Sequence, residues 1–405
     1  MKKSFAILAV LAVASVAGAQ DVLQPSFVKT TTAQNSSSVP VIGTVFGGPM
    51  NLNPPTTGGD AEIFMIDPTN DNFAVLFNGN STGDGDGSAI VRYELANITN
   101  FALVAGADIN TAIDAANGAD PAPTDVTIRD AGVNAAGQVI VLLDPTGAGA
   151  TLAFLARVTF SGSTGTVDII GSGANVDGGE SLAVVGNTAY VAKQGSFAGG
   201  TSADNAIIAF DTTGGAAVAS QTGTIVITNT DLTNAGIATP DNINAIAANG
   251  TSLLIGVAAD YYSASFGPLA ITPVKTSAAI QTELGLTALS TSNNSLVVDA
   301  AGNIFFQPFS TTPATVGNSF IKIGTGAGRP ATVYLSETTI EADVDFKTTI
   351  GGATTAELEA NGRNFGFSDL STSTTNGALV FSNESSDDTV WTVTNPSNVA
   401  DWMVF

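Results

Sequence analysis

The stretch SLAVVGNTAYVAKQG, residues 181–195, decides the fold. Two short apolar segments, LAVV and AYVA, stand on either side of Gly186 and Asn187. Glycine and asparagine readily adopt the positive φ angles that a two-residue hairpin turn requires, so the stretch predicts a β-hairpin. Whether this hairpin occurs once or many times determines the architecture of the whole chain.

The hairpin recurs along the chain. Three further copies, each an apolar segment, a turn with glycine and a second apolar segment, are GVNAAGQVIVLLD (132–144), INAIAANGTSLLIG (243–256) and SLVVDAAGNIFFQ (295–307). Looser copies lie at 62–77 and 364–382. A third apolar segment follows each hairpin, at 89–95, 151–160, 206–211, 269–274, 319–324 and 389–393. A fourth often comes next, at 101–106, 166–170, 224–228, 331–335 and 402–405.

Six repeats of four strands, with an uneven period of roughly 50 to 70 residues, predict an all-β fold and within it a β-propeller. Six four-stranded blades is the count that the spacing favours. Seven stays open because residues 39–46 form a further, unassigned strand. We expect this N-terminal strand to pair into the last blade and close the ring, since an open ring would leave an exposed edge. Short helices are expected on loops, at residues 277–284 and 354–360.

The first 19 residues have the pattern of a signal peptide of bacterial type. Lys2 and Lys3 precede an apolar run at residues 5–16, which is too short to span a bilayer, and 17–19 read Ala-Gly-Ala, a small-x-small cleavage site. We therefore expect cleavage after Ala19 and a mature protein that is secreted, extracellular or on the cell surface, with the periplasm as an alternative. The expected organisation is a signal peptide at 1–19, an N-terminal segment with the closing strand at 20–59, and the propeller at 60–405.

The composition excludes several kinds of chemistry. The 405 residues include no histidine and no cysteine, so Ser-His-Asp catalysis, Cys-His catalysis, thiolate metal sites and disulfides are all excluded. The formal net charge of −23 argues against nucleic acid as a partner and against attachment to anionic lipid. The expected partner is an unknown extracellular ligand, a polysaccharide or a protein, and no membrane span is expected after signal cleavage.

About four of the six repeats have a family likeness, and two of them carry it most clearly. The stretches PDNINAIAANGTSLLIGVA (240–258) and NNSLVVDAAGNIFFQP (293–308) resemble the strand pairs of six-bladed propellers of the NHL and gluconolactonase-like kind. The resemblance is one of fold, and this fold is shared by many unrelated functions. In the gluconolactonase kind, a calcium ion sits in the central channel and is held by Glu, Asn and Asp side chains from the tops of the innermost strands.

The resemblance directs attention to four polar residues that stand just before the expected innermost strands: Glu62, Glu180, Asn242 and Asn294. Oxygen ligands of this kind suit Ca²⁺ and need no histidine. The alternative, which the sequence favours, is that these residues form ordinary hydrogen bonds along a water-filled channel. A second candidate calcium site is the loop with Asp84 and Asp86, although it lacks the spacing of an EF-hand and a solvated hairpin loop explains it as well.

Two classes of function remain after these exclusions. The first is a secreted, non-catalytic propeller that acts as a binding or structural module of the cell exterior. The second is a calcium-dependent hydrolase or lactonase of the six-bladed type, in which a carboxylate would act as the base. The sequence favours the first class, with no catalytic residue and no certain cofactor, and it identifies no ligand or substrate.

Overall fold

The fold is known from a computed structural model, and its described residues are mostly β-strand. The described residues are 27–32, 41–42, 50–51, 60–66, 73–79, 89–94, 97–117, 125–146, 153–195, 201–214, 222–237, 243–289, 293–299, 301–308, 311–312, 319–335, 371–372, 379–383 and 389–393.

The strands form a series of antiparallel units, which we call sheets 1 to 6 along the chain. Sheets 1 and 2 are joined at their outer strands by one parallel bridge, between Leu103 and Thr164. Three strands precede sheet 1: β1 (Phe27–Thr32), β2 (Val41–Ile42) and β3 (Met50–Asn51). Sheet 1 contains β4 (Asp60–Ile66), β5 (Phe73–Gly79), β6 (Ala89–Glu94) and β7 (Asn97–Ala105). Sheet 2 contains β8 (Asp125–Val133), β9 (Val139–Thr146), β10 (Phe154–Ser161) and β11 (Thr164–Gly171). Sheet 3 contains β12 (Gly179–Val185), β13 (Thr188–Lys193), β14 (Ala206–Asp211) and β15 (Thr224–Thr228).

The second half of the chain continues in the same way. Sheet 4 contains β16 (Ile243–Asn249), β17 (Ser252–Val257), β18 (Asp260–Ser265) and β19 (Ala270–Lys275). A small pair, β20 (Ala288–Leu289) with β23 (Thr311–Thr312), accompanies sheet 5, which contains β21 (Asn293–Val298), β22 (Ile304–Pro308), β24 (Phe320–Ile323) and β25 (Ala331–Leu335). Sheet 6 contains β26 (Ser371–Thr372), β27 (Leu379–Asn383) and β28 (Thr389–Val393), and β1, β2 and β3 extend it.

The predicted hairpins are present where their sequences lie. Strands β12 and β13 pair from Gly179 to Val185, and Gly186 in the turn has the positive φ angle, 60°, that the sequence led us to expect. The other three close copies also have a turn glycine with positive φ: Gly137, Gly250 and Gly302. The fold is therefore a succession of four-stranded antiparallel sheets, as the repeats predicted.

The sheets pack face to face, which explains why their strands are continuously apolar rather than alternating. In β9, Ile140 and Leu142 point into a cluster shared with sheet 3, whereas Val141 and Leu143 point into a cluster shared with sheet 1. Similar clusters lie between sheets 3 and 4 and between sheets 4 and 5. The first strands β8, β12, β16 and β21 lie side by side. This is the packing of blades in a β-propeller, with the first strand of each sheet innermost.

Sheet 4 corrects one strand assignment. The sequence interpretation made residues 269–274 the third strand of this repeat, but the third strand is β18, DYYSAS, and residues 270–275 form the fourth. The turn between β17 and β18 is made by Ala258 and Ala259, which both have positive φ angles. Alanine rarely adopts this conformation, so the turn carries no sequence signal.

The N-terminal strand that pairs with the last sheet also differs from the expected one. Residues 27–32, as β1, pair antiparallel with β28, and Val41 lies one strand farther out, paired with Thr32 of β1. The two described residues of the predicted strand at 39–46, Val41 and Ile42, therefore pair with β1 and β3 rather than with β28. The predicted fourth segment at 402–405 lies outside the described residues, and β1 occupies the place next to β28.

The part of the chain that the structure describes contains three helices outside the sheets: α1 (Gly106–Asn117), α2 (Asn229–Asn234) and α3 (Ser277–Leu284). It also contains a 3-10 turn at Ser202–Asp204. The helix predicted at 277–284 is confirmed as α3, which ends at Gly285 with a φ of 70°. The helix predicted at 354–360 lies outside the described residues. In the described part of the chain, no helix is both long and apolar enough to cross a membrane.

Candidate functional site at the innermost strands

A β-bulge interrupts the innermost strand of each of the first five sheets. The pairing skips one residue at Glu62 in β4, Arg129 in β8, Glu180 in β12 and Asn244 in β16. In β21 the extra residue falls at Asn294 or Ser295. A bulge bends a strand and re-aims its side chains, and bulges recur next to functional sites. The extra residues at these five bulges are polar and together form the candidate site. We call these five places the bulge positions.

Charged side chains meet at the bulge positions of sheets 2 and 3. Arg129 donates from Nη2 and Nε to Oδ2 of Asp144, at 2.6 and 3.0 Å, and the two side chains are 40% and 34% exposed. Burial raises the pKa of Glu180, while the positive charge of Arg129 lowers it and the negative charge of Asp144 raises it. The carboxylate for which the sequence suggested a calcium ion is therefore already influenced by a cation of the protein itself.

The residues just after the bulges tie neighbouring sheets together. Oδ2 of Asp130 accepts hydrogen bonds from the Ser181 hydroxyl, at 2.9 Å, and from the backbone N–H of Leu182, at 2.5 Å. The Ser181 oxygen in turn accepts a hydrogen bond from the N–H of Ile246, at 3.1 Å. Leu182 and Ile246 each lie two residues after a bulge, and the N–H of each donates to a side-chain oxygen next to the bulge of the preceding sheet. The same type of hydrogen bond therefore joins β8 to β12 and β12 to β16. We call these contacts the inter-sheet ladder.

The Asp130–Ser181 pair is structural rather than nucleophilic. Burial raises the pKa of Asp130 to about 7, which is favourable for a general base. However, Ser181 is only 6% exposed, and its oxygen is held between the Asp130 carboxylate and the Ile246 N–H. A nucleophile needs a substrate-accessible oxygen, and this one lies within the contact between sheets.

The predicted calcium residues have different outcomes. Glu180 lies at a bulge position, and so does the backbone of Glu62, whose side chain is not described. Asn294 lies within the β21 bulge, again with an undescribed side chain. Asn242, Asp84 and Asp86 lie outside the described residues. Among the side chains that are described, no group of three or more acidic residues could hold a metal ion. The channel and loop calcium sites both stay predictions.

The sequence analysis missed Arg129 and Asn244. A signal was present, because Asn244 precedes the turn glycine Gly250 by the same interval as Glu180 precedes Gly186. Likewise, Arg129 precedes Gly137 by the same interval as Asn294 precedes Gly302. The distance from the turn glycine therefore locates the bulge positions. A search for acidic or amide residues near strand starts does not.

Comparisons with known proteins find similar folds but no family. No protein family model matches the chain, and no curated protein matches it in sequence. A luciferin-regenerating enzyme is similar in structure at 11% identity and a TM-score of 0.40, over 83% of this chain and 92% of that one. A nidogen/laminin complex matches at 9% and 0.39, over 75% and 90% of the two chains. YCF48 bound to a D1 peptide matches at 10% and 0.40, over 85% and 84%. The function of this chain must therefore be argued from its own residues.

Proposed function

We propose that this chain is a six-bladed β-propeller, closed by the pairing of β1 with β28, that acts as a non-catalytic binding or structural module outside the cytoplasm. One observation carries the non-catalytic part. At the bulge positions of sheets 2 and 3, Arg129 pairs with Asp144, and its positive charge also acts on Glu180, which opposes the binding of a calcium ion by that carboxylate. The absence of histidine and cysteine from the sequence removes the other common routes to hydrolysis.

The calcium-dependent hydrolase is the second candidate, and one feature favours it. Glu62, Glu180 and Asn294 lie within the bulges of three innermost strands, and all three carry oxygen ligands that suit Ca²⁺. The two candidates differ in what calcium does to the folded protein, because a ligand that binds only the folded state raises its stability by mass action.

Calcium dependence separates the two candidates. We expect the melting temperature of protein stripped with EDTA to stay unchanged when millimolar CaCl₂ is added back, and we expect no lactone hydrolysis with or without calcium. The matched variant is Glu62→Gln/Glu180→Gln, which removes two carboxylates without changing their size. A calcium-dependent rise in melting temperature that is present in the wild type and lost in this variant would instead support the hydrolase.

Export is tested separately, on the protein from its native host. The Lys2–Lys3 start and the apolar run at 5–16 lead us to expect a mature N-terminus at Gln20. Mass spectrometry of the protein recovered outside the cytoplasm should find this terminus, open or cyclised. A chain that still begins at Met1 and remains in the cytoplasm would contradict the extracellular role and leave the calcium test unaffected.

A further inference from the structure

Three N-terminal strands join the last sheet along one strand edge. Strand β1 pairs antiparallel with β28, from Phe27 opposite Val393 to Thr32 opposite Thr389. Strands β2 and β3 lie farther out in the same sheet, and each pairs with the strand before it in the chain. Among the described strands, β1 is therefore the one that attaches this group to sheet 6. Strand addition of this kind takes its binding energy mainly from backbone hydrogen bonds, so the edge of β28 accepts an extended segment from whichever chain supplies it.

The connection from these strands to sheet 1 has the composition of a hinge. It runs from the end of β3 at Asn51 to the start of β4 at Asp60, and residues 52–59 read LNPPTTGG. Two successive prolines favour an extended backbone, whereas Gly58 and Gly59 have the widest conformational freedom. Fully extended, a connection of this length reaches about 25 Å, or roughly five strand spacings. The hinge is thus long enough for the N-terminal strands to lie against a neighbouring copy of the chain.

Opposite charges distinguish β1 from the segment that leads into β28. Lys29 of β1 is the one basic residue among residues 20–91, whereas residues 384–388, which come directly before β28, read ESSDD. In the register of the pairing, Thr32 lies opposite Thr389, the residue next to these acids. A basic strand and an acidic segment attract each other whether or not they belong to the same chain. The formal net charge of −23 opposes the approach of two whole copies, and salt screens this longer-range repulsion.

We propose that the edge of β28 is a self-association site, at which β1 of a second copy takes the place of the chain's own β1. The register is the same in both cases, so exchanging the strand between copies loses none of the β1–β28 pairs. Reciprocal exchange has two-fold symmetry and closes as a dimer. The proposal rests on the β1–β28 closure of the proposed function, and it gives the structural module a way to associate with its own kind.

The test uses engineered cysteines, since the chain has none of its own. Val28 of β1 lies opposite Thr392 of β28, and the Cα atoms of such antiparallel partners are about 4.5–5.5 Å apart, within the range of a disulfide. Val28→Cys and Thr392→Cys are made in separate mature chains from Gln20, one of which carries an affinity tag. The two chains are mixed and warmed to just below the melting temperature in 1 M NaCl, where the screening length is about 3 Å. After cooling and oxidation, a disulfide between these two cysteines necessarily joins two different chains.

The matched control uses Val380→Cys in place of Thr392→Cys. Val380 pairs with Thr392 on the far side of β28, so it lies two strand spacings, about 10 Å, from β1. On a non-reducing gel, we expect the dimer of tagged and untagged chains to be at least about tenfold more abundant in the Thr392→Cys mixture than in the Val380→Cys mixture, because only the former brings the two sulfur atoms within reach.

A double variant, Val28→Cys/Thr392→Cys in one chain, tests the closure within a single copy. If this chain forms an internal disulfide while the Thr392→Cys mixture forms no more dimer than the control mixture, the exchange is overturned and the closure stands. If neither an internal nor an intermolecular disulfide forms, the β1–β28 pairing itself is contradicted, and with it the closed ring of the proposed function. An excess of dimer in the Thr392→Cys mixture over the control supports the exchange.

Discussion

At the scale of single residues, Asp130 is a buried carboxylate that lies in the contact between sheets 2 and 3. Its carboxylate is desolvated by burial, yet it accepts hydrogen bonds from Ser181, Leu182 and Ala131. Desolvation raises the pKa and the hydrogen bonds lower it, and the pKa of about 7 shows that desolvation is the larger effect. The contact between sheets 2 and 3 therefore depends on the protonation of Asp130, which changes near neutral pH.

The first prediction at this scale concerns pH. The pKa of Asp130 is raised from 3.8 to about 7 on folding, which means that the folded state binds this proton more tightly than the unfolded state does. The resulting stabilisation of the folded state is full below pH 4 and is lost as the pH rises through 7. Asp130→Asn keeps an acceptor for Leu182 but cannot titrate. We expect the unfolding free energy of the wild type, relative to this variant, to increase between pH 8 and pH 5 by a few kcal/mol at most, at roughly 1.4 kcal/mol per pH unit.

Denaturant unfolding of both proteins at pH 5 and pH 8 measures this difference. Asp231→Asn is the control, because the pKa of Asp231 is lowered by its hydrogen bonds with Thr228. The contribution of Asp231 is therefore present above pH 4 and is lost only as the pH falls below it, so this variant should follow the wild type between pH 5 and 8. Parallel pH profiles for the wild type and Asp130→Asn would show that Asp130 does not titrate in this range.

At the scale of elements, the hairpins could be predicted because their turns depend on particular residues. The β8–β9 and β21–β22 turns, NAAGQ and DAAGN, form the same contacts: the Asn134 and Asp299 side chains accept backbone hydrogen bonds from Gln138 and Asn303. Turns of this kind require an Asn or Asp acceptor and a glycine, so they leave a signal in the sequence. The strands on either side follow from the turn.

Elements without such a signal were missed for physical reasons. The turn of Ala258 and Ala259 has the positive φ angles of a glycine turn but contains no glycine, so β18 was not predicted.

Helix α1 is a different case, because its sequence does carry a signal. Ile109, Ala112, Ile113 and Ala116 recur at helical spacing and pack on one cluster, yet the helix was not predicted. The bulges depend on register, which a single strand does not reveal but which the distance to the turn glycine does. Glu180 was found because it is acidic and stands near a strand start, whereas Arg129 was missed because only acidic and amide residues were considered.

At the scale of the whole molecule, sheets 2, 3 and 4 each contribute both of their faces to the core. The clusters between sheets 1 and 2, 2 and 3, 3 and 4, and 4 and 5 leave each inner sheet apolar on both sides. Such a stack is stable only where its two ends are covered, because an end sheet would expose an apolar face and an open edge. The contacts of β4 with β26 and β27 bring the first and last sheets together. The pairing of β1 with β28 joins the N-terminal segment to the last sheet of the stack.

The last prediction tests this join. A chain that begins at Gln34 lacks β1 and leaves the edge of β28 unpaired, whereas a chain that begins at Gln24 keeps β1 and removes only the residues before it. We expect the chain from Gln34 to melt several degrees lower and to aggregate more readily, because the loss of a whole paired strand is expected to cost a few kcal/mol and each kcal/mol shifts the Tm of a domain of this size by about 1 °C. The chain from Gln24 should melt like the predicted mature chain from Gln20. Calorimetry of the three chains measures the effect. Equal melting temperatures for the chains from Gln24 and Gln34 would mean that β1 does not stabilise the join between the first and last parts of the chain. The stack would then be stable with the edge of β28 unpaired.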